Sequence, residues 1–238
     1  LLGARRIVCL MALTTIALAL VWPGEARVAE SPWAPLHWLL GASFRLEDRL
    51  PHLSLPKLFV HGDRDDIIPI ELGQRAFAAA KAHGWPVRLH AEQISNIGGS
   101  RMAARHGALA CDHLEYATED DAIELARAGT VAVLLPVAYY VLADPRLPPV
   151  DLFRTHRVPM AVASDANPGS APGASLQTAM NMARRLFGMT SKEVLDGVTR
   201  NAARALGLGD RLGQIAPGFR ADFAAWSFDT PDELGYWI

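Results

Sequence analysis

The chain has 238 residues, half of them hydrophobic, with 23 Lys and Arg against 25 Asp and Glu for a formal net charge of -2; this is a globular composition, long enough for one large or two modest domains. No basic block of the kind that follows a phosphate backbone is present, which argues against a nucleic-acid partner. Cys9 and Cys111 form neither a CxxC pair nor a zinc-finger spacing, which argues against a disulfide framework or a thiolate metal site and for a reducing compartment. The first 26 residues pull the other way: two arginines, an apolar run from Ile7 to Trp22 and Gly24-Glu25-Ala26 read as a secretory signal. The run of 16 residues is short for a membrane span, and the competing reading is a buried strand entering an apolar helix. A cytoplasmic location is therefore expected, with export as the alternative.

From residue 31 to about 80, Pro and Trp punctuate short apolar runs, and "KLFVHGDRDDIIPIELGQRAFAAAK" reads as strand, polar loop and helix. Beyond that the pattern becomes regular. Strand-like "VRLHAE" leads through a Gly-rich turn to a helix from Arg101 to His106. Strand-like "ALACDHLEY" precedes a helix opened by Thr118, with acids in its first turn and Gly129 at its end. The β-type runs "TVAVLLPVAYY" and "VPMAVASD" follow, then the helical "SLQTAMNMARRLFG" and "TSKEVLDGVTRNAARALG". Alternating β and α units of this kind predict a parallel sheet, open or closed into a barrel.

Three polar residues then fall into step. His90, His113 and Asp165 each stand at the end of one of these strands, so all three are predicted on the rim formed by the strands' carboxyl ends, where αβ folds build their sites. His and Asp suit a divalent ion held by nitrogen and oxygen. A lone strand-end His is more often a hydrogen-bonded structural residue, and Asp165 and Asn167 could each cap the turn that follows. Glu92 and Gln93 could form a solvated loop. His37, His52 and His83 lie in irregular stretches, and His106 and His156 sit late in helices, where positive charge is welcome.

The stretches "VRLHAEQISNIGG", "GALACDHLEY", "GTVAVLLPVAYY", "LPPVDLFRTHRVPMAVASDANPGS", "MNMARRLFGMT" and "GVTRNAARALGL" resemble the C-terminal part of the imidazolonepropionase family of metal-dependent amidohydrolases, over about residues 84 to 238. The closing "GQIAPGFRADFAAWSFDTPDELGYWI" is similar to the same family, in which the chain leaves the barrel for a small β-domain. The resemblance implies a (β/α)8 barrel with one divalent metal ion, zinc or iron, hydrolysing the ring amide of 4-imidazolone-5-propanoate to N-formimino-L-glutamate. It implies His90 and Asp165 as metal ligands. Asp165 would also act as proton carrier, His113 would orient or polarise the ring carbonyl, and Gln93, Asn167, Gly169 and Ser170 would line the substrate pocket.

The sequence departs from that family in one large respect. The family's barrel opens on a strand with a His-x-His pair that supplies two more ligands, and no His-x-His occurs here. Ser164, Ala166 and Val137 stand where the family tends to Thr, Cys and Gly. In place of the missing half, "PLHWLLGASFRLEDRLPHLSLPKLFVHGDRDDIIPIELGQRAFAAA" resembles the C-terminal region of an α/β-hydrolase, with Asp65 at the position of the triad acid, yet no Gly-x-Ser-x-Gly elbow is present. The expected organisation is thus α/β throughout. An α/β-hydrolase-like fragment (1–80) precedes a partial (β/α)8 amidohydrolase barrel with a terminal β segment (84–238). A catalytically silent fusion and a serine-hydrolase relative are the alternatives to the metal-dependent hydrolase. The expected partner is a small molecule, with no membrane. A half-barrel with open edges also predicts association into a homo-oligomer.

Overall fold

The computed structural model describes residues 77–227 and 229–236. The apolar run from Ile7 to Trp22, Asp65 and all of the α/β-hydrolase-like stretch before residue 77 lie outside them. Among the described residues a helical stretch at 77–82 leads into strand β1 (Arg88–Ala91). Helix α1 (Gly99–Arg105), β2 (Ala110–His113), α2 (Glu119–Ala128) and β3 (Val131–Leu134) follow. Two short helices, α3 (Pro136–Leu142) and α4 (Val150–Thr155), precede β4 (Met160–Val162). Helices α5 (Leu176–Leu186), α6 (Ser191–Val198) and α7 (Arg200–Ala205) and a 3-10 turn (Pro231–Gly235) complete the order.

The four strands form one parallel sheet in the order β1-β2-β3-β4, so each strand lies beside its neighbour in sequence, as successive β/α units of a barrel wall do. His90 pairs in register with Asp112, and Asp112 with Val133. Because side chains alternate along a strand, this register sets Arg88, His90 and Asp112 on one face of the sheet and Leu89, Cys111 and Leu134 on the other. The second face carries the helices. Cys111 Sγ lies 4.0 Å from the Ser100 carbonyl on α1, and Gly197 of α6 is so close to β4 that a Cβ there would stand 3.3 Å from Val162. Phe77, Leu89, Leu125, Leu134, Phe153 and Val194 are almost wholly buried in the layer between sheet and helices. At roughly 2 kcal/mol per large apolar side chain, these positions carry much of the stabilisation.

Helix boundaries follow the expected chemistry. The Thr118 amide and hydroxyl both donate to the Asp121 carboxylate at 2.7 Å, and Gly129 ends α2 at φ 69°, where a side chain would be strained. The Ser175 hydroxyl accepts from the Thr178 amide at the start of α5, and Thr190 and Glu193 cap each other at the start of α6. Three expectations fail. "PVAYY" is helix rather than strand, because Pro136 suits the first turn of α3 and cannot donate to a sheet. The predicted helix "TSKEVLDGVTRNAARALG" breaks at Thr199, whose hydroxyl bonds back to the Leu195 carbonyl at 2.6 Å while Gly213 packs on its own carbonyl. The terminal β segment is not formed among the described residues: 214–227 carry no strand and the chain turns into the 3-10 element instead. No described strand runs beside it to share a ladder, and a lone strand has no partner for its backbone. No helix among the described residues is long and apolar enough to cross a membrane.

Candidate metal and substrate site

Every predicted site residue lies at or just beyond the carboxyl end of a strand. His90 is the third of four residues in β1, His113 the last of β2, and Asp165 stands three residues beyond β4. The His90 and His113 rings come together with centroids 5.0 Å apart, tilted at 45°. Below them, the Arg88 guanidinium binds the buried Asp112 carboxylate, neutralising on the same face the charge nearest His90.

This rim is backbone-strained. Six non-glycine residues among the described ones have positive φ, and four of them, Glu92 (53°), His113 (77°), Leu114 (72°) and Asp165 (51°), lie at the carboxyl end of β1, β2 or β4 or within three residues of it. Each such residue costs about 1 kcal/mol, and strain of this kind concentrates where side-chain aim matters. At His113 the left-handed backbone redirects the ring, which plain alternation from Asp112 would have sent toward the helices, and the ring meets His90.

Burial and the adjacent His90 hold the His113 imidazole well below its usual pKa, so it is neutral at neutral pH, with one ring nitrogen able to donate and the other to accept. Its Nδ1 lies 3.9 Å from Glu115 Oε1, too far for a hydrogen bond. Among the described residues neither His113 Nδ1 nor His90 Nδ1 has a hydrogen-bond partner, although both are buried. Leaving a buried polar atom unmet costs about 1–3 kcal/mol. Two such atoms side by side on the strained rim mark a place that favours an exogenous polar group or cation. The Asp165 carboxyl is raised above its ordinary value, first by burial and also by Asp112, against the lowering pull of His90 and Arg88. It therefore shares one electrostatic neighbourhood with the β1 and β2 residues.

The segment after Asp165 is built around one amide. Asn167 Nδ2 donates to the Asp165 carbonyl at 2.7 Å and to Ser170 Oγ at 2.9 Å, while its Oδ1 accepts from the Gly169 and Ser170 amides at 2.9 and 2.8 Å. The Asn167 side chain is thus spent on holding the loop. Its backbone pairs with Ala171, and Gly169 and Ser170 stand at the turn's outer edge.

Glu92 overturns the solvated-loop reading of its stretch. It is fully buried, and its carboxyl accepts from the Ser100 amide (2.8 Å), the Ser100 hydroxyl (2.9 Å) and the Ile97 amide (3.2 Å). The same hydroxyl lies 3.0 Å from Asp121, which also binds Asn96 and Thr118. Ser100 has a single proton for two carboxyls, so both contacts are met only when one acid is protonated, and burial raises the pKa of Glu92 in that direction. This network caps α1 and ties the loop after His90 to the start of α2. A charged residue two places beyond a strand-end His gave no sign of it in the sequence. Gln93, next along, is partly exposed at the rim.

The donor types at His90 and Asp165 fit a divalent ion held by nitrogen and oxygen. They fit it in part only: among the described residues no three His, Cys, Asp or Glu side chains converge closely enough to hold a metal.

Comparison with known proteins bears on the same residues. The model of the amidohydrolase family matches residues 69–234. The imidazolonepropionase of Serratia proteamaculans (strain 568) is 58% identical over 164 residues, 69% of this chain and 40% of that protein. That of Pseudomonas syringae pv. tomato (strain DC3000) is 54% identical over 165 residues, again 69% of this chain and 41% of the relative. The chain therefore spans about two fifths of the length of the curated relatives it matches. Among solved structures, an adenosine deaminase from Xanthomonas campestris with bound zinc superposes with a TM-score of 0.60 at 21% identity, covering 74% of this chain and 45% of that one. Atrazine chlorohydrolase TrzN from Arthrobacter aurescens TC1, complexed with zinc, gives 0.57 at 19% identity, over 70% and 43%. At such identities the likeness concerns the fold, a partial amidohydrolase barrel.

Proposed function

This chain belongs to the amidohydrolase family, and on that premise we propose that it carries the C-terminal part of an imidazolonepropionase, hydrolysing the ring amide of 4-imidazolone-5-propanoate to N-formimino-L-glutamate. The observation that carries the reading is the pair of buried, unpartnered imidazole nitrogens of His90 and His113 on the strained rim. Identity of 54–58% to imidazolonepropionases over this same region supports it.

His90 and Asp165 would hold one divalent ion, zinc or iron, together with donors from outside the described residues. Such an ion supplies Lewis acidity, which acidifies water and polarises a carbonyl. The chain's own groups do the rest. The Asp165 carboxyl, whose pKa burial raises, takes a proton from the attacking water and returns it to the ring nitrogen as the C–N bond breaks, while the water oxygen stays on the carbonyl carbon. His113, neutral at working pH, donates a hydrogen bond to the carbonyl oxygen and stabilises charge that grows there. The Asn167 loop would present Gly169 and Ser170 to the substrate, and Gln93, two residues beyond β1, would line the same pocket. The substrate is a small molecule and the proposed location is the cytoplasm.

A second reading, a catalytically silent fusion product, is favoured by one observation: among the described residues no three His, Cys, Asp or Glu side chains come together to hold a metal. Metal analysis by mass spectrometry, paired with an assay for N-formiminoglutamate, separates the two. About one zinc or iron per chain, lost in both His90→Ala and Asp165→Ala, is the expected result. A chain that binds no metal and releases no product would sink the first reading and leave the second.

A further inference from the structure

The opposite end of the sheet holds a cavity of about 570 Å³ between α4, the start of β4, α6 and α7. It lies at Pro159 and Met160, where β4 begins, whereas the candidate site lies beyond the strand's other end. Four guanidiniums line it, those of Arg154, Arg157, Arg200 and Arg204, against only two carboxylates, Glu193 and Asp196.

The charges are unevenly matched. Arg154 is answered fully: it grips Glu193 with Nε at 2.7 Å and Nη2 at 2.8 Å, and binds Asp151 and the Gly188 carbonyl besides. Asp196 is shared by Arg200 and Lys192, at 2.8 and 2.7 Å. That exhausts the acids of the cavity. The Arg157 and Arg204 guanidiniums have no ion pair or hydrogen bond among the described residues, and both residues are exposed. Either one alone would suit its place near a helix C-terminus. Their convergence on one concave space is not explained that way. Arg157 also has φ 57°, at the position just past α4 where glycine is the usual residue. Asn201 completes the wall, held by its amide to the Met160 carbonyl at 2.8 Å with its Oδ1 left over.

We infer that this cavity binds a small organic di- or trianion, bearing phosphate or several carboxylates, between Arg157 and Arg204. Planar guanidinium forks match either oxyanion, and the two unanswered cations set a charge of about minus two as the complement. The site is separate from the amide-hydrolysing rim and does not depend on metal there.

Isothermal titration calorimetry on the full chain at low ionic strength tests this, with inorganic phosphate and citrate as probes and sodium chloride at matched ionic strength as the blank. Saturable binding of one probe per chain is expected, weakened at least tenfold in Arg157→Gln/Arg204→Gln and unchanged in Arg105→Gln, an exposed arginine on α1. Tighter binding of phosphate would identify a phosphorylated ligand, and tighter binding of citrate a polycarboxylate. Should the double variant lose its circular-dichroism melt, Arg157→Gln alone, on an exposed side chain, should still weaken binding about threefold. The inference is overturned if neither probe binds above the chloride blank, if the cavity variants bind as the wild type does, or if Arg105→Gln weakens binding equally.

Discussion

Replacing Glu92 by Gln should destabilise the chain by about 2 kcal/mol without touching any proposed ligand. The carboxyl accepts two backbone amides, Ser100 on Oε1 and Ile97 on Oε2, and the Ser100 hydroxyl. A carboxamide has one oxygen. With that oxygen toward Ser100, its NH2 group faces the Ile97 amide; turned the other way, it faces the Ser100 amide. Either orientation leaves a donor against a donor, and one unmet buried amide costs about 1–3 kcal/mol. Glu92→Ala leaves both amides unmet, although the Ser100 hydroxyl keeps Asp121 at 3.0 Å, so about 4 kcal/mol is expected. For a chain of this size these losses lower Tm by roughly 2–4 °C per kcal/mol, about 4–8 °C for Gln and twice that for Ala. Thermal unfolding followed by circular dichroism reads both. In a double-mutant cycle, Glu92 and Ser100→Ala should couple by more than about 1 kcal/mol. A Gln variant that melts with the wild type, or an Ala variant no worse than Gln, would refute the account of Glu92 as the cap of α1.

Two further outcomes follow from geometry away from the rim. The Arg154 fork beside Glu193 lowers that carboxyl to about 2, so its contribution is fully present above the unfolded value near 4.5 and is lost as pH falls toward 2. Allowing for solvent screening of a partly exposed pair, acid denaturation of Glu193→Gln between those pH values should be shallower by about 1–2 kcal/mol than that of the wild type. Equal slopes would remove the pair from the stability of α4 and α6. Gly213→Ala should cost about 2–4 kcal/mol in urea unfolding, since φ is 82° and the new Cβ would stand 2.6 Å from the Thr199 carbonyl oxygen; a neutral result would mean that this crossing is loose.

The parallel sheet and its rim were legible because they rest on local signals. Thr118 and Gly129 bracket α2 by cap chemistry, Ser175 opens α5, and His90, His113 and Asp165 each end an apolar run. What escaped depended on partners distant in sequence. Glu92 looks like any loop acid until Ser100 and Asp121 close around it, and the break at Thr199 needs Gly213 pressing from the following loop. The α4 helix was missed because its six residues begin straight after Pro148-Pro149 and carry too little periodicity to register. Asn167 was legible as a turn former, but that its whole amide is consumed by Asp165, Gly169 and Ser170 is visible only in three dimensions.

Length changes in such a chain are constrained by parity. His90 and Asp112 share a face because both strands count in twos from a common register, Arg88 opposite Ala110. Losing one residue inside β1 would swing His90 into the helical layer and bring Leu89 or Ala91 to the rim, a failure no nearby side chain could repair. The same loss in the largely exposed span from Ala143 to Leu147 leaves the alternation intact and alters only a connection. Lineages of this sequence are therefore expected to gain and lose residues in the connections, while the three- and four-residue strands keep their count.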